Sequence, residues 1–484
     1  MKKIRAALTD SSLFRRSYII CLFLCNITPV LVFAYAALVV IFLWGVFLLI
    51  YREVTRRTAL RVRFGLWLIL FIICAVITAL LHINPVLLYD VHNMIIILNA
   101  AICFFIFYGV HTEKHLNFRR EMYSVCRFIV YTTTVLGIIG LACLMSDIKF
   151  EILGLKFIIY ENRFTGLYCN PNQLGFYAVA SIVCGHMLLK KDFITISGRE
   201  RVSTIWIASC FAVNALSLML SDSNGALVLM MGYVVFFLVY KMFGSERRFS
   251  VKQIVTKSVS ALLAGVVILG SLFFVRNIMQ DGFSNIMSST KSIVVIEGDL
   301  DIEEEGIITF EHENKNIDSG RFKLWSQAVQ MWKNAPVMGI CKGNIYDYGQ
   351  RMFESGVKFS KKYGILAPLM TDFHNGYLTI LVCSGAVGFL LFAVFGLKAF
   401  KHITKYVFSD GGLKESTLPC MYSFLCSYVV YAFIEEALLY NLIFNVAFFW
   451  LILGYTSCFL MKYEPDHPLR HFRLFGKEFR RTLI

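Results

Sequence analysis

Residues 258–275 read SVSALLAGVVILGSLFFV, and residues 376–397 read GYLTILVCSGAVGFLLFAVFGL. Each run is apolar over roughly the 20 residues that a helix needs to cross a bilayer. Between the two runs lies a large polar loop, residues 276–375. The pattern predicts a working loop held between two membrane spans.

The composition places the whole chain in the membrane class. Its 484 residues are 57% hydrophobic, above the roughly 45–50% of soluble domains. The mean hydropathy is +0.65. We therefore expect an all-α fold, a polytopic membrane helix bundle with one large extracytoplasmic loop domain. The net charge of +15 comes from short Lys and Arg clusters between apolar runs. Such clusters orient membrane proteins, so nucleic acid is excluded as a partner.

The hydropathy pattern predicts about twelve membrane spans. Basic residues precede the first apolar run, but no small-residue cleavage site follows, so a cytoplasmic start is favoured over a signal peptide. The chain divides into spans 1–9 within residues 1–275, the loop at 276–375, spans 10–12 within 376–461, and a basic cytoplasmic tail at 462–484. The predicted spans lie at about 17–33, 35–51, 64–82, 92–110, 126–145, 173–189, 204–220, 225–241, 256–275, 376–397, 418–435 and 438–460.

The distribution of Lys and Arg orients these spans. Alternate connections are rich in basic residues, whereas residues 83–91 and 221–224 contain none. Cytoplasmic loops carry the positive excess. The alternation predicts a multi-pass protein of the cell membrane with both termini in the cytoplasm, and it places residues 146–172 and 276–375 outside.

The first exterior region, residues 146–172, combines an apolar-rich segment with polar motifs. Residues 149–155 could lie along the membrane surface. Asn170-Pro171-Asn172 is typical of a helix start, since Asn is a favoured N-cap residue. Capping accounts for both asparagines. It leaves Arg163 without a structural explanation.

The second exterior region contains a predicted helix that begins at Arg321. Apolar residues Phe322, Trp325, Ala328, Val329 and Trp332 recur at three- and four-residue spacings, and Pro336 follows. This period favours an amphipathic helix whose aromatic face packs on the bundle or on the lipid surface. The acidic residues 297–313 are expected to be flexible.

His374 and Asn375 directly precede the apolar run at 376–397. They are therefore predicted to lie at a helix N-terminus, where free backbone N–H groups and the macrodipole favour anions.

Several short motifs together resemble the O-antigen ligase and polymerase superfamily, bacterial membrane enzymes that join lipid-linked oligosaccharides outside the cytoplasmic membrane. The resemblance covers most of the chain. The motifs are Arg163-Phe164-Thr165-Gly166 with Asn170-Pro171-Asn172, Ser221-Asp222-Ser223-Asn224-Gly225, Ser319-Gly320-Arg321 with Trp325, Pro336-Val337-Met338-Gly339, His374-Asn375-Gly376-Tyr377-Leu378, and Ser384-Gly385-Ala386-Val387-Gly388. One departure is that the family usually has Ser-Arg-Gly where this chain has Ser223-Asn224-Gly225.

The resemblance implies a metal-independent membrane glycosyltransferase that needs no cofactor. Its donor would be a polyprenyl-pyrophosphate-linked oligosaccharide and its acceptor a second glycan, with the bilayer and a chain-length regulator as further partners. The family's chemistry implies pyrophosphate binding by Arg163 and Arg321, with Asn172 and Asn375 beside them. His374 would act either as a general base or as a phosphate ligand.

The missing Arg at Asn224 favours a repeat-unit polymerase of O-antigen, capsule or exopolysaccharide synthesis. The alternative within the family is an O-antigen ligase that uses lipid A-core as its acceptor. A flippase or transporter is the alternative from another class. Glu435 and Glu436 could serve such a protein as ion-coupling carboxylates, although solvation at the membrane interface also explains them.

Cysteine usage indicates packing rather than metal binding. Most of the 14 cysteines lie inside apolar runs, and none has metal-ligand spacing. Cys169 and Cys341 are placed outside the membrane, where the sequence leaves a disulfide between them open.

Overall fold

A computed structural model describes residues 2–113, 118–146, 148–152, 155–160, 163–190, 203–243, 251–287, 292–296, 299–303, 321–353, 372–408, 416–461, 470–474 and 477–481. In these ranges the α-helices are α1 (Lys2–Leu8), α2 (Ser11–Leu24), α3 (Leu31–Arg56), α4 (Gly65–Leu81), α5 (Leu87–Ile102), α6 (Phe118–Met145), α7 (Pro171–Leu188), α8 (Thr204–Leu220), α9 (Asn224–Phe243), α10 (Val251–Met287), α11 (Arg321–Asn334), α12 (Ile345–Met352), α13 (Gly376–Val407), α14 (Leu418–Tyr431) and α15 (Phe444–Met461).

The helical architecture agrees with the predicted polytopic bundle. Among the described residues, seven helices are long and apolar enough to cross a membrane, and α4, α8 and α14 are shorter apolar helices. A helix lies at each predicted span, but the number of twelve spans stays a prediction. Some bounds differ from expectation. The first helix of the N-terminal pair ends at Leu24, and α10 continues to Met287, beyond the predicted boundary at 275.

The polar connections contain β-structure that the sequence analysis did not anticipate. Strands β1 (Ile148–Ile152), β2 (Leu155–Tyr160), β3 (Arg163–Gly166), β4 (Ser292–Ile296) and β5 (Asp299–Glu303) form one sheet in the order β3-β2-β1-β4-β5. The β1–β4 pair is parallel and joins residues far apart in the chain. A short hairpin, β6 (Arg470–Leu474) and β7 (Lys477–Arg481), lies in the basic tail.

These strands bear on two predictions made from the sequence, one for residues 149–155 and one for residues 297–313. Residues 149–155 are apolar-rich and could lie along the membrane surface, which stays a prediction; residues 149–152 belong to β1 and Leu155 begins β2. Part of the acidic segment 297–313 pairs with β4 as β5 instead of being flexible. Residues 297–298 and 304–313 of that segment lie outside the described residues.

The N-terminal helix α2 is anchored by buried ion pairs. The guanidinium of Arg15 is fully buried and donates to both Glu113 and Glu121, with its shortest contacts at 2.6 and 2.7 Å. Arg52 shares Glu113 at 2.7 Å, and the Tyr455 hydroxyl donates to Glu121. Two arginines of the basic clusters are therefore structural links inside the bundle. Removing Arg15 would leave the buried Glu121 carboxylate without a cation, and Arg52 adds a second cation to Glu113.

Helix α13 is interrupted at Gly385, where a segment of the large loop packs against it. The backbone N–H groups of Ala386 and Val387 donate to the carbonyls of Pro336 and Val337, at 2.8 and 3.1 Å. On the other side of the break, the N–H groups of Ile340 and Cys341 donate to the carbonyls of Val382 and Cys383, at 2.9 and 3.1 Å. We call residues 336–341 the docking segment.

The docking segment explains why two separate motifs contain glycine. Gly339 has φ +78°, and a Cβ there would lie 2.5 Å from the backbone N of Gly385. Gly385 has φ +63° and ψ −170°, and a Cβ there would overlap the carbonyl of Val337. Such a conformation is essentially restricted to glycine. Pro336-Val337-Met338-Gly339 and Ser384-Gly385-Ala386 are thus two halves of one contact.

This contact predicts a large difference between two glycine substitutions in the same helix. Gly385→Ala should lower the free energy of unfolding by more than the ~1–3 kcal/mol of backbone strain alone, since the methyl group also meets Val337. Gly396→Ala is the matched control, because no atom lies within 4 Å of a Cβ at that position. Thermal unfolding of the detergent-purified variants measures both. Equal melting temperatures would contradict the docking contact.

Candidate functional site

Helix α11 begins at Arg321 and ends at Asn334, as the sequence predicts. Its buried face differs from the predicted aromatic one. Leu324, Gln327, Ala328 and Met331 are buried, whereas Phe322 is 66% exposed. The Trp325 ring is partly buried and donates from Nε1 to the carbonyl of Phe373 at 3.1 Å. This hydrogen bond connects α11 to the start of α13.

Asn375 is the N-cap of α13, as expected. Its Oδ1 accepts the N–H groups of Tyr377 and Leu378, both at 3.0 Å. The N–H of Gly376 donates to the carbonyls of Ala432 and Glu435, at 2.8 and 3.1 Å. The expectation of free N–H groups at this helix start is therefore wrong, because the chain itself satisfies them.

His374 adopts a left-handed backbone conformation, with φ +47°. Its N–H donates to Asp372 Oδ1 at 3.0 Å, which stabilises this turn. Its ring faces two carboxylates, with Nδ1 3.2 Å from Glu435 Oε2 and Nε2 3.4 Å from Asp372 Oδ1. Two acceptors on opposite sides of one imidazole favour the doubly protonated ring.

Glu435 joins His374 to Arg321. Its Oε1 accepts from Arg321 Nη2 at 3.1 Å, while Oε2 faces the histidine. The side chains of Arg321, His374, Asp372 and Glu435 remain 20%, 27%, 25% and 15% exposed. These four residues, which we call the outer cluster, are therefore largely shielded from solvent and still reachable from one side.

The electrostatics of the outer cluster keep His374 charged. Burial alone would lower the pKa of His374, and Arg321 opposes protonation as well. The carboxylates of Asp372 and Glu435 outweigh both effects and raise the pKa to about 9. The imidazolium is thus the dominant form at neutral pH.

A second ion pair lies directly beneath this cluster. Lys342 follows the docking segment and places its Nζ 2.6 and 2.8 Å from the two carboxylate oxygens of Glu436. Both side chains are almost completely buried, and burial raises the pKa of Glu436 to about 7. The interpretation of Glu435 and Glu436 as solvated interfacial carboxylates is therefore wrong. Glu435 points to Arg321 and His374, whereas the next residue, Glu436, points to Lys342.

The two glutamates belong to an irregular segment, residues 432–443, between α14 and α15. Buried side chains hold its carbonyls: Trp450 donates to Leu438 at 3.0 Å, and Tyr428 donates to Ala437 at 2.9 Å. Irregular backbone is tolerated inside a bundle where neighbouring helices supply hydrogen bonds. The segment is thus a rigid support for both carboxylates.

Arg163 lies in a neighbouring group of polar residues around the α8–α9 turn. Its guanidinium donates to the carbonyls of Ser221 and Asp222, both at 3.0 Å, and to Asn172 Oδ1 at 2.7 Å. Asn170 caps α7 through a 2.7 Å bond from the N–H of Asn172. Arg163 and Asn172 therefore lie together, as the sequence analysis requires, and the arginine holds the turn in place.

The same turn is held from the other side by Arg276, a residue of α10. Its Nη1 lies 3.0 Å from Asp222 Oδ1 and 2.8 Å from Asn224 Oδ1, and its side chain is 11% exposed. Ser223 Oγ accepts the N–H of Ala226 and thereby caps the start of α9. A cation thus stands next to Asn224, where the family motif carries an arginine.

Gly225 lies between the outer cluster and the polar residues around the α8–α9 turn. A Cβ at Gly225 would lie 3.4 Å from Glu435 Oε1, so the α8–α9 turn borders the outer cluster directly. Four of the predicted site residues are thereby brought to neighbouring positions: Arg163, Asn172, Arg321 and His374. Asn375 lies beside them, but its side chain is 5% exposed and bonded to its own helix.

Sequence reasoning missed Asp372, Lys342 and Arg276, and it undervalued Glu435. Each is charged and precedes, follows or ends an apolar run, where charged residues are ordinarily solvated. Asp372, a carboxylate two residues before His374, was the one local signal in the sequence that could have pointed to this cluster.

Cys169 and Cys341, the two cysteines predicted to lie outside the membrane, are free thiols. Cys341 is 4% exposed, since it belongs to the docking segment, whereas Cys169 is partly exposed. The disulfide that the sequence left open does not form in this structure. Ready labelling of Cys341 by a thiol reagent is not expected.

The buried pair predicts a specific stability pattern. Lys342→Met should destabilise the protein by about 3–5 kcal/mol, because the buried Glu436 loses the cation that offsets the cost of burying a carboxylate. The double variant Lys342→Met/Glu436→Gln should recover part of the loss. Lys333→Met removes an exposed lysine and serves as control. Melting temperatures in detergent provide the measurement, and a double variant no more stable than Lys342→Met would contradict the pairing.

Comparison with known families agrees with the resemblance seen in the motifs. Residues 209–393 match the family described as O-antigen ligase. The matched segment begins in α8 and ends in α13, so it contains Arg276, Arg321, Lys342 and His374. No curated protein matches the chain. The match supports O-antigen ligase or polymerase-type activity in general. Over residues 209–393, which are less than half of the chain, this match supports the O-antigen ligase and polymerase superfamily that the motifs resemble.

Proposed function

We propose that this protein transfers a glycan from polyprenyl pyrophosphate to a hydroxyl group of a second glycan, as a repeat-unit polymerase. The observation that carries the proposal is the outer cluster, in which Arg321 and the imidazolium of His374 flank one partly exposed position. Two fixed cations suit a leaving group whose negative charge increases during the transfer.

Arg321 would bind the pyrophosphate through its planar guanidinium, which makes paired hydrogen bonds to phosphate oxygens. His374 would contribute the second positive charge, so we favour the phosphate-ligand role over the general-base role. The support is that both ring nitrogens face carboxylates, which leaves no neutral acceptor nitrogen for a substrate proton. Positive side chains would thereby replace a metal ion in stabilising the leaving group.

Arg163 and Asn172 would line one side of the same donor site. Arg163 already donates to two carbonyls and one amide oxygen, so its contribution would be mainly to fix the α8–α9 turn. Arg276 next to Asn224 would provide the positive charge that the Ser-Asn-Gly sequence lacks.

The cellular setting follows from the charge distribution. We propose a protein of the cytoplasmic membrane with both termini in the cytoplasm and the outer cluster facing outward, where a chain-length regulator could reach it. An O-antigen ligase remains the second candidate, because the family match supports either reaction. Deletion of the gene distinguishes them. Loss of a polymerase leaves single repeat units on the acceptor, whereas loss of a ligase leaves long polymer on the lipid carrier.

Arg321→Lys should reduce transfer at least tenfold although the positive charge remains, because lysine cannot form the paired hydrogen bonds. Lys333→Ala, at an exposed position of the same helix, is the control and should keep normal transfer. The assay follows polymer formed from the lipid-linked oligosaccharide that accumulates in cells lacking the protein. Normal polymer from Arg321→Lys would remove this residue from the site.

The charge state of His374 predicts the pH dependence. The raised pKa means that the imidazolium persists through neutral pH and is lost as pH rises through about 9. If this cation binds phosphate, transfer should hold between pH 7 and 8 and fall above about 9. His374→Gln should be slow at every pH and lose this alkaline decline. A rate that instead increases through pH 9 would favour the general-base role.

A further inference from the structure

Glu435 is the one residue of the outer cluster that contacts both proposed phosphate ligands. Its two oxygens are divided between them, with Oε1 on Arg321 at 3.1 Å and Oε2 on His374 at 3.2 Å. The carboxylate therefore occupies the position between the two cations that a phosphate group would need. It belongs to segment 432–443, whose Ala437 and Leu438 carbonyls accept hydrogen bonds from buried side chains of the neighbouring helices.

The reaction also needs an acceptor for the proton of the attacking hydroxyl group. The ring of His374 is engaged on both nitrogens, and Lys342 and Arg321 are cations that cannot accept a proton in their charged forms. Glu436 is almost completely buried against Lys342 and has no route to a substrate. Among the carboxylates of the outer cluster, Glu435 and Asp372 are left.

Glu435 is the better placed of the two. Asp372 bonds the backbone N–H of His374 and stabilises the turn that carries it. Glu435 lies between the two cations and beside Gly225, the residue that borders the α8–α9 turn. A glycan bound between that turn and the phosphate ligands would meet the Glu435 carboxylate first.

We propose that Glu435 is the general base of the transfer, activated when the donor binds. This inference rests on the proposed function. The pyrophosphate replaces Glu435 as the partner of Arg321 and His374, so the carboxylate loses the two cations that hold its negative charge. It becomes a stronger proton acceptor only when the donor is in place.

The acceptor oxygen forms a bond to the anomeric carbon, and its proton passes to a Glu435 oxygen. The bond between that carbon and the phosphate oxygen breaks, and its electron pair leaves with polyprenyl pyrophosphate. The departing diphosphate then lies against Arg321 and His374, and the proton is returned to solvent on release.

Several charged groups face Glu435 and set the conditions of the test. Arg321 approaches from α11, and His374 and Asp372 approach from the turn before α13. Glu436 and Lys342 lie behind it, and the Tyr431 ring packs nearby at Gly225. A substitution at Glu435 therefore has to be tested for donor binding and for transfer separately.

The experiment compares Glu435→Gln with wild type in two assays. Binding is measured with polyprenyl pyrophosphate alone, which requires no knowledge of the glycan. Transfer is measured with the lipid-linked oligosaccharide from cells lacking the protein. We expect transfer to fall by about 100-fold or more, within the range that general bases contribute. Binding should stay equal or become tighter, because the carboxylate that competes with phosphate has lost its charge.

The variant Glu435→Asp separates a loss of proton transfer from a folding defect. It keeps the charge but withdraws the carboxylate by one methylene group, so it should melt near the wild-type temperature, bind polyprenyl pyrophosphate and lose at least tenfold in transfer. If Glu435→Gln loses binding and transfer together while Glu435→Asp retains both, Glu435 only positions the cations and the proposal is overturned.

Two further results would identify Asp372 as the proton acceptor or reject the proposed function. Near-normal transfer by Glu435→Gln, with Asp372→Asn inactive but able to bind, would identify Asp372 as the proton acceptor and overturn the assignment. If wild-type protein binds no polyprenyl pyrophosphate and transfers no glycan, the proposed function itself fails, independently of Glu435.

Discussion

Four backbone hydrogen bonds between the docking segment and the interrupted helix α13 determine the arrangement of the site. A helix that breaks within an apolar bundle exposes N–H and C=O groups, and each must find a partner inside the protein. The docking segment, residues 336–341, provides these partners on both sides of Gly385. The polar loop is thereby attached to a membrane helix by main-chain contacts that do not depend on side-chain identity, apart from the two glycines.

This attachment positions the charges. Lys342 directly follows the docking segment, and its pairing with Glu436 fixes the irregular segment 432–443 from one side. Gly376 fixes the same segment from the other side by donating to the carbonyls of Ala432 and Glu435. Glu435 consequently has a defined direction toward Arg321 and His374. Burying Lys342 and Glu436 is costly, and the pair is retained where it orients the carboxylate next to it.

In the α8–α9 turn, position 224 carries no positive charge of its own, and Arg276 of helix α10 supplies one beside it. Asn224 is uncharged, but the Arg276 guanidinium lies 2.8 Å from its side-chain oxygen. Arg163 binds the same turn through carbonyls. Two arginines from distant parts of the chain therefore surround a turn that carries no Lys or Arg of its own. The local motif alone would suggest that the site is less basic than it is.

The sequence by itself determined the properties that depend on local composition and period. Runs of apolar residues specified the helices, the Asn-Pro-Asn and His-Asn motifs specified where α7 and α13 begin, and the helical period specified α11 from Arg321. Only the tertiary structure decided which polar residues meet. The β1–β4 pairing, the partnership of Lys342 with Glu436, and the position of Arg276 join residues separated by 52 or more positions. No local pattern encodes such contacts, because burial and the search for a partner of opposite charge act through space.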